Sequence, residues 1–328
     1  MQEKKVKKVV VLATGGTIAG LAGDVSKPHQ YVSGLLKVNE LTDQLDLHGA
    51  HLVQEQIANM DSKDMSFELW QSLLRRCDFW LSQSDVSGVV VTHGTDTLEE
   101  TAYLLQRVLA PTKPLAMTCA MFPANVPESD GPKNLQDALN WVLSPPKMGV
   151  VVVCAGNVHP AIGVQKIYSD RTHAFASRKD ASETPTDCHV PSDWPMFLLD
   201  QVLQTAQWPR VDIVLNHAGA DGQMVRAWTQ ARVRDSQPDS SLHSVVAGHP
   251  TGSVPDGLIA AGTGSGTLAK DLEGALLEAQ QAGVRVARVS RCAFGVTDPD
   301  KHPGIASFGD LSAVQARVEM LLRLIANH

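Results

Sequence analysis

Two stretches of this chain place hydroxyls and glycines together directly behind apolar runs. Ala13-Thr14-Gly15-Gly16-Thr17-Ile18-Ala19-Gly20 follows the run at 9–13, and Thr92-His93-Gly94-Thr95-Asp96-Thr97 follows the run at 88–92. A threonine hydroxyl can act as a nucleophile if a base takes its proton and a carbonyl is held in front of it. Glycines let the backbone approach a ligand closely, and the N–H groups they expose can form an oxyanion hole. Each stretch alone also has a plainer reading, because Gly-rich strand ends make phosphate sites and threonine is a common helix N-cap. The lysine and Ser/Thr that close a P-loop are missing after Gly20, so nucleoside triphosphate binding loses support. The pair of threonine loops is what points to nucleophilic chemistry.

Other reactive residues give weaker patterns. The twelve histidines contain no HExxH, and His48 and His51 are the one close pair, so no zinc or other metal site is expected. Gly262-Thr263-Gly264-Ser265-Gly266 imitates part of a dinucleotide fingerprint but lacks its spacing, and no acidic residue stands at the usual distance. No organic cofactor is expected.

The elements that must position the two loops follow from the apolar pattern. The runs at 9–13, 88–92, 114–120 and 149–155 read as strands of a parallel sheet buried on both faces. Trp70, Leu73, Leu74, Cys77, Trp80 and Leu81 share one helical face. Thr97 with Glu100 has the form of a capping box and predicts a helix to about Leu109, and 132–143 predicts another. The rhythm fades over 177–195 and resumes with strands at 211–217, 257–261 and 284–290 and helices at 268–281 and 312–326. The expected fold is α/β, with a larger N-terminal domain at 1–190 built on a mainly parallel sheet flanked by helices. A linker at 191–210 and a smaller α/β domain at 211–328 complete it. In such open sheets ligands bind beyond the carboxyl ends of the strands, so two parallel, adjacent strands would open both loops onto one crevice.

Composition narrows the function further. The 328 residues are 43% apolar, and 28 Lys plus Arg against 35 Asp plus Glu leave a net charge of −7, which argues against a nucleic-acid partner. No apolar run approaches the roughly 18 residues a spanning helix needs, so no membrane partner is expected. The short run after the basic first eight residues suits a first strand better than a signal peptide. Cys77, Cys119, Cys154, Cys188 and Cys292 are odd in number and have no CxxC spacing, as expected of scattered buried thiols in a reducing, cytoplasmic setting.

Thr14-Gly15-Gly16-Thr17-Ile18 together with His93-Gly94-Thr95-Asp96-Thr97 resembles the two signatures of the L-asparaginase/glutaminase family, the bacterial-type threonine amidohydrolases. The likeness runs on through Asp64-Met65, Glu99-Glu100-Thr101-Ala102-Tyr103, Ser129-Asp130-Gly131-Pro132 with Asn134-Leu135, and Ala260-Ala261-Gly262-Thr263-Gly264. It implies that Thr14 attacks the side-chain carboxamide of L-asparagine, with ammonia leaving and water releasing aspartate from an acyl-enzyme. It also implies that Tyr31 hydrogen-bonds the nucleophile and closes over the site, and that Thr95, Asp96 and Lys166 form a second triad. Ser62 and Asp96 would hold the substrate's α-carboxylate and α-ammonium, while backbone groups of the loops holding Gly15 and Gly94 would receive the amide carbonyl. A homotetramer, assembled as a dimer of dimers whose C-terminal domains reach the neighbouring sites, is implied too. Read without the family, Lys166 is an ordinary solvated lysine, Tyr31 a packing or surface residue, and Ser62 or Asp64 a cap on the following helix.

The pattern is broken in places. Cys119-Ala120-Met121-Phe122-Pro123 carries Phe122 where an arginine is usual, and Ser265 stands where many members carry asparagine. Asp298 and Asp300 are the candidates for the acidic residue a neighbour contributes. The segment after 170–177 reads as shortened and 229–254 as an insertion. Rival expectations are a glutaminase-asparaginase acting on L-glutamine as well, and a non-catalytic amino-acid sensor on the same fold. The amidase subunit of a tRNA-dependent amidotransferase is disfavoured because the chain starts a few residues before its first strand.

Overall fold

The computed structural model describes residues 7–144, 148–177, 195–235 and 254–327. They fall into two compact units, Met1–Leu203 and Gln204–His328. The first contains β1 (Lys8–Gly15), β2 (Leu21–Ala22), β3 (Tyr31–Val32), α1 (Val38–Thr42), β4 (His51–Met60), α2 (Phe67–Ser82), β5 (Val86–Thr92) and α3 (Leu98–Leu109). It continues with β6 (Pro114–Thr118), α4 (Gly131–Leu143), β7 (Gly149–Cys154), β8 (Asn157–Pro160), β9 (Val164–Lys166) and β10 (Phe175–Ser177); α5 (Leu199–Gln204) runs to the division between the units.

Its main sheet has the order β4-β1-β5-β6-β7-β8, parallel throughout except for the antiparallel last pair. Val9 to Ala13 are fully buried, as a strand covered on both faces requires. β1 lies between β4 and β5, although β4 follows it in the chain. The chain therefore reverses its direction of travel across the sheet at β1, and the carboxyl ends of β1, β4 and β5 surround a switch point. α4 packs Leu135, Ala138, Leu139 and Val142 onto a core that includes Val9, Val11, Val90 and Val151.

β4 has no counterpart among the strands expected from sequence. It is an edge strand of alternating exposure carrying Gln54, Glu55 and Gln56, so the apolar run that marks the buried strands is absent. The capping box expected at Thr97 is also absent. Thr97 precedes α3, but its hydroxyl donates to Ser62 O at 2.8 Å and caps nothing. The helix after Ser62 and Asp64 is capped instead by Ser66, whose Oγ accepts from Leu69 N–H at 3.3 Å.

The second unit contains β11 (Val211–Leu215), α6 (Gln223–Asp235), β12 (Gly257–Gly262), α7 (Lys270–Gln281), β13 (Arg285–Ser290), β14 (Ala306–Ser307) and α8 (Ala313–Ala326). Its sheet, β11-β12-β13-β14, is parallel. α6 occupies the start of the stretch read as an insertion, and 236–253 lies outside the described residues. The same is true of 178–194, which includes Cys188 and the expected boundary at 190. Cys77, Cys119 and Cys154 are buried free thiols, whereas Cys292 is exposed, against the expectation that it was buried.

Candidate active site

β1 and β5 pair in parallel, with Ala13 level with Thr92, so the two threonine loops leave adjacent strand ends. Glycine makes the meeting possible. Gly15 has φ +106° and Gly16 φ +82°, and a Cβ on Gly16 would collide with the Gly94 backbone. A Cβ on Gly94 would stand 2.6 Å from Ser62 Oγ. Gly16 N–H donates to Met60 O at 2.8 Å, which ties the first loop to the end of β4. Thr14, Ser62 and Thr95 are all nearly fully buried beneath these contacts.

The second loop is fixed from two sides. Ser62 Oγ accepts from Asp96 N–H at 3.2 Å. On the other side His93, wholly buried, uses both ring nitrogens: Nδ1 lies 2.8 Å from Gly94 O, and Nε2 lies 3.1 Å from Thr101 Oγ1. Trp70 Nε1–H donates to that same Thr101 oxygen at 2.9 Å. An indole N–H only donates and a carbonyl only accepts, so Thr101 gives its proton to Nε2 and His93 carries its own on Nδ1. Burial lowers the His93 pKa to about 4, which keeps the ring neutral and suits a structural relay better than a base.

Lys166, the last residue of β9, brings a cation to the second loop. Its Nζ donates to Thr95 Oγ1 at 2.8 Å and to Asp96 Oδ1 at 2.7 Å. Its backbone N–H donates to Glu99 Oε2 at 3.0 Å. Burial pushes the Glu99 carboxyl up to about 7, and the Lys166 backbone bond opposes that rise. Sequence reasoning named Glu99 only as part of a motif. The available signal was an acid in the first turn of α3, three residues beyond Asp96.

Thr14 and Tyr31 are arranged differently from the family expectation. Thr14 Oγ1 donates to Thr92 O at 2.9 Å. Tyr31, on the β2–β3 ribbon, places its phenol 2.6 Å from Thr17 Oγ1 rather than on Thr14. The structure thus brings Thr14, Gly15, Ser62, Gly94, Thr95, Asp96 and Lys166 to the strand ends, with Tyr31 one threonine away. Phe122 has its N–H held by Asp130 Oδ1 at 3.0 Å. In the second unit Ser265 Oγ accepts from Lys301 Nζ at 3.0 Å, and Asp298 N–H donates to Ser265 O at 3.1 Å. Among the described residues no group of three or more His, Cys, Asp or Glu could hold a metal ion. No described helix is long and apolar enough to cross a membrane.

Chemically, this arrangement offers two buried hydroxyls, one of them hydrogen-bonded to an ammonium, beside close-packed glycine backbone. Comparison with known proteins places the chain in a family. Residues 8–186 match the family model described as Asparaginase, N-terminal, and residues 210–328 match Glutaminase/Asparaginase C-terminal domain. The chain is 31% identical to L-asparaginase 2 of Escherichia coli (strain K12), over 96% of this chain and 88% of that one. It is 30% identical to the glutaminase-asparaginase of Acinetobacter glutaminasificans, over 96% and 94%. The solved structure described as "Probable Cytoplasmic L-asparaginase from Campylobacter jejuni" superposes with a TM-score of 0.80 at 28% identity, covering 97% of this chain and 95% of that one. The fold and the comparisons define a hydrolase acting on amide bonds. The chain belongs to the asparaginase family.

Proposed function

We propose that this enzyme hydrolyses L-asparagine to L-aspartate and ammonia through an acyl-enzyme on Thr14. The observation that carries the reading is the Lys166–Thr95–Asp96 cluster set on the loop beside Thr14, with both hydroxyls buried at adjacent strand ends. Thr14 Oγ1 attacks the carboxamide carbon, and N–H groups of the loops that hold Gly15 and Gly94 receive the developing oxyanion. Attack requires the Thr14 proton to leave Thr92 O, and Tyr31 moving from Thr17 to Thr14 supplies the partner. Lys166, Thr95 and Asp96 act at the amide centre, where Thr95 gives its proton to the nitrogen as the C–N bond breaks and ammonia leaves; Lys166 Nζ–H replaces the Thr95 proton, and the proton that Thr14 gave up restores Lys166. Ser62 and Asp96 hold the α-carboxylate and α-ammonium. Water then releases aspartate. The chemistry needs no metal or organic cofactor.

A second reading, a glutaminase-asparaginase, is favoured by the 30% identity to a relative of that name. One methylene separates the substrates, worth about 1–3 kcal/mol in a discriminating pocket. The domain division at 1–190, 191–210 and 211–328, a homotetramer built as a dimer of dimers, and a cytoplasmic location belong to the same proposal. The buried free thiols and the cytoplasmic name of the structural relative support that location.

The test is ammonia release from L-asparagine and L-glutamine by the wild type, Thr14→Ala and Thr95→Val. We expect asparagine turnover that falls by about a thousandfold or more in both variants. A tetramer that binds asparagine but releases no ammonia would overturn the enzyme reading in favour of a sensor. A Thr14→Ala protein that keeps a burst of product would move the nucleophile to Thr95.

A further inference from the structure

Lys166 works from the end of a short strand that lies outside the main sheet. β9 pairs with β10 in an antiparallel, two-stranded ribbon, with Val164 opposite Ser177, Gln165 opposite Ala176 and Lys166 opposite Phe175. Beyond Lys166 the chain turns at once. Ile167 N–H and Tyr168 N–H both donate to Ala174 O, at 2.7 and 3.2 Å, and both side chains are exposed.

Hydrogen-bonded and non-hydrogen-bonded rungs alternate along an antiparallel pair. Ile167 N–H bonds to Ala174 O, so the rung before it, Lys166 with Phe175, is of the second kind. Lys166 therefore turns its backbone N–H off the edge of the ribbon, where it needs a partner from another element. That partner is Glu99, whose Oε2 accepts at 3.0 Å. Glu99 stands in the first turn of α3, the helix into which the Thr95 loop runs. One short segment thus grips Lys166 at both ends: Thr95 and Asp96 take the ammonium, at 2.8 and 2.7 Å, and Glu99 takes the backbone.

The two grips fare differently while the amide bond breaks. Lys166 Nζ–H replaces the proton that Thr95 gives up, and Asp96 also meets the substrate's α-ammonium. An uncharged amine loses the charge-assisted part of its bond to the Asp96 carboxylate. The Glu99 bond takes no part in the proton transfers and stays the same throughout. A displacement of about 1 Å can cost a factor of about 10² in rate, so a long, flexible side chain needs a fixed base.

We propose that Glu99 is a positioning residue for this reaction: its carboxyl holds the Lys166 backbone, so that Nζ stays within reach of Thr95 while its charge changes. The role rests on the amidohydrolase reading above. Length and an acceptor oxygen are what it requires. A glutamine oxygen in the same place accepts the Lys166 N–H, whereas a carboxyl one methylene shorter draws back from it.

The experiment compares the full-length wild type with Glu99→Gln, Glu99→Asp and Glu99→Met, by steady-state ammonia release from asparagine and by backbone hydrogen exchange of peptides spanning 164–168. In the Asp and Met variants kcat should fall by about tenfold or more with KM within about threefold, and the Gln variant should recover kcat to within about threefold. Exchange of the Lys166 amide should quicken by about tenfold or more in the Asp and Met variants and stay near the wild-type rate in the Gln variant. Introduced into Lys166→Met, Glu99→Asp should change the remaining rate by less than about twofold, whereas a general loss of folded enzyme would multiply through. Glu99→Asp keeps a carboxyl in the first turn of α3 and carries the test if the methionine variant fails to fold. Equal losses in the Gln and Met variants would trace the effect to charge rather than to the bond and overturn the proposal. Quickened exchange with an unchanged kcat, or a full loss on top of Lys166→Met, overturns it as well. A wild type that releases no ammonia from either amide counts against the amidohydrolase reading, while exchange of the Lys166 amide still decides whether Glu99 holds it.

Discussion

Two of the threonine–glycine loops at the ends of buried parallel strands, those after β1 and β12, do opposite things with their hydroxyls. In the loop after β12, Thr263 and Thr267 bond to each other. Their Oγ1 atoms are 3.0 Å apart, and their backbones pair in both directions at 2.8 and 2.9 Å. The two threonine hydroxyls are spent on each other within five residues, while Ser265 between them accepts from Lys301. In the loop after β1 the hydroxyls are handed out instead: Thr14 to the end of β5, Thr17 to Tyr31, with Gly15 and Gly16 against Met60 and Gly94. Threonine and glycine at a strand end specify a tight turn by default. Chemistry arises where a second loop and a cation, here Lys166 on Thr95, take up what the turn would otherwise satisfy internally.

The largest effect that separates the loops is expected from their partners. Lys166→Met should lower asparagine turnover by roughly 10²–10⁴-fold, whereas Thr267→Val should leave the rate within a factor of a few and cost only about 1 kcal/mol of stability. Steady-state kinetics and thermal unfolding on both variants check this, and equal losses of activity would erase the distinction. Gly16→Ala comes next. A methyl at φ +82° against Gly94 must push the two loops apart, so about 1–3 kcal/mol of stability should be lost together with most of the activity. A stable and active Gly16→Ala protein would mean that the loops are not held by backbone contact.

The last effect touches stability alone and depends on pH. The Glu99 carboxyl sits at about 7 when folded against an ordinary 4.5, so between those values the native state binds a proton that the unfolded chain has released. Stability contributed by neutral Glu99 is therefore present at low pH and lost as pH rises through about 7, by a few kcal/mol at most. Glu99→Gln cannot titrate and should flatten that slope. Melting temperatures of both proteins from about pH 5 to about pH 8 decide it, and parallel curves would show that the carboxyl is not buried as described.

Much of this was legible in the chain, and for a physical reason. Strands covered on both faces must be continuously apolar, so 9–13, 88–92, 114–120 and 149–155 announced themselves, and each strand end located a loop. β4 was not legible because an edge strand tolerates Gln54, Glu55 and Gln56, yet it is the element that delivers Ser62. Thr97 was misread because the capping pattern is local, whereas its hydroxyl is taken by Ser62, 35 residues away. The Tyr31–Thr17 contact and the Glu99–Lys166 bond depend likewise on tertiary placement that no spacing encodes.

The backbone floor formed by Gly15, Gly16 and Gly94 has an evolutionary consequence. Each glycine faces another loop at a distance that leaves no room for a side chain, so none of the three can drift without separating the threonines they hold. Divergence among relatives must therefore be paid out at positions surrounding that floor. Selection for a longer or differently charged amide has only such neighbouring positions to work with, and a library that randomises the floor would spend nearly all its members on inactive protein.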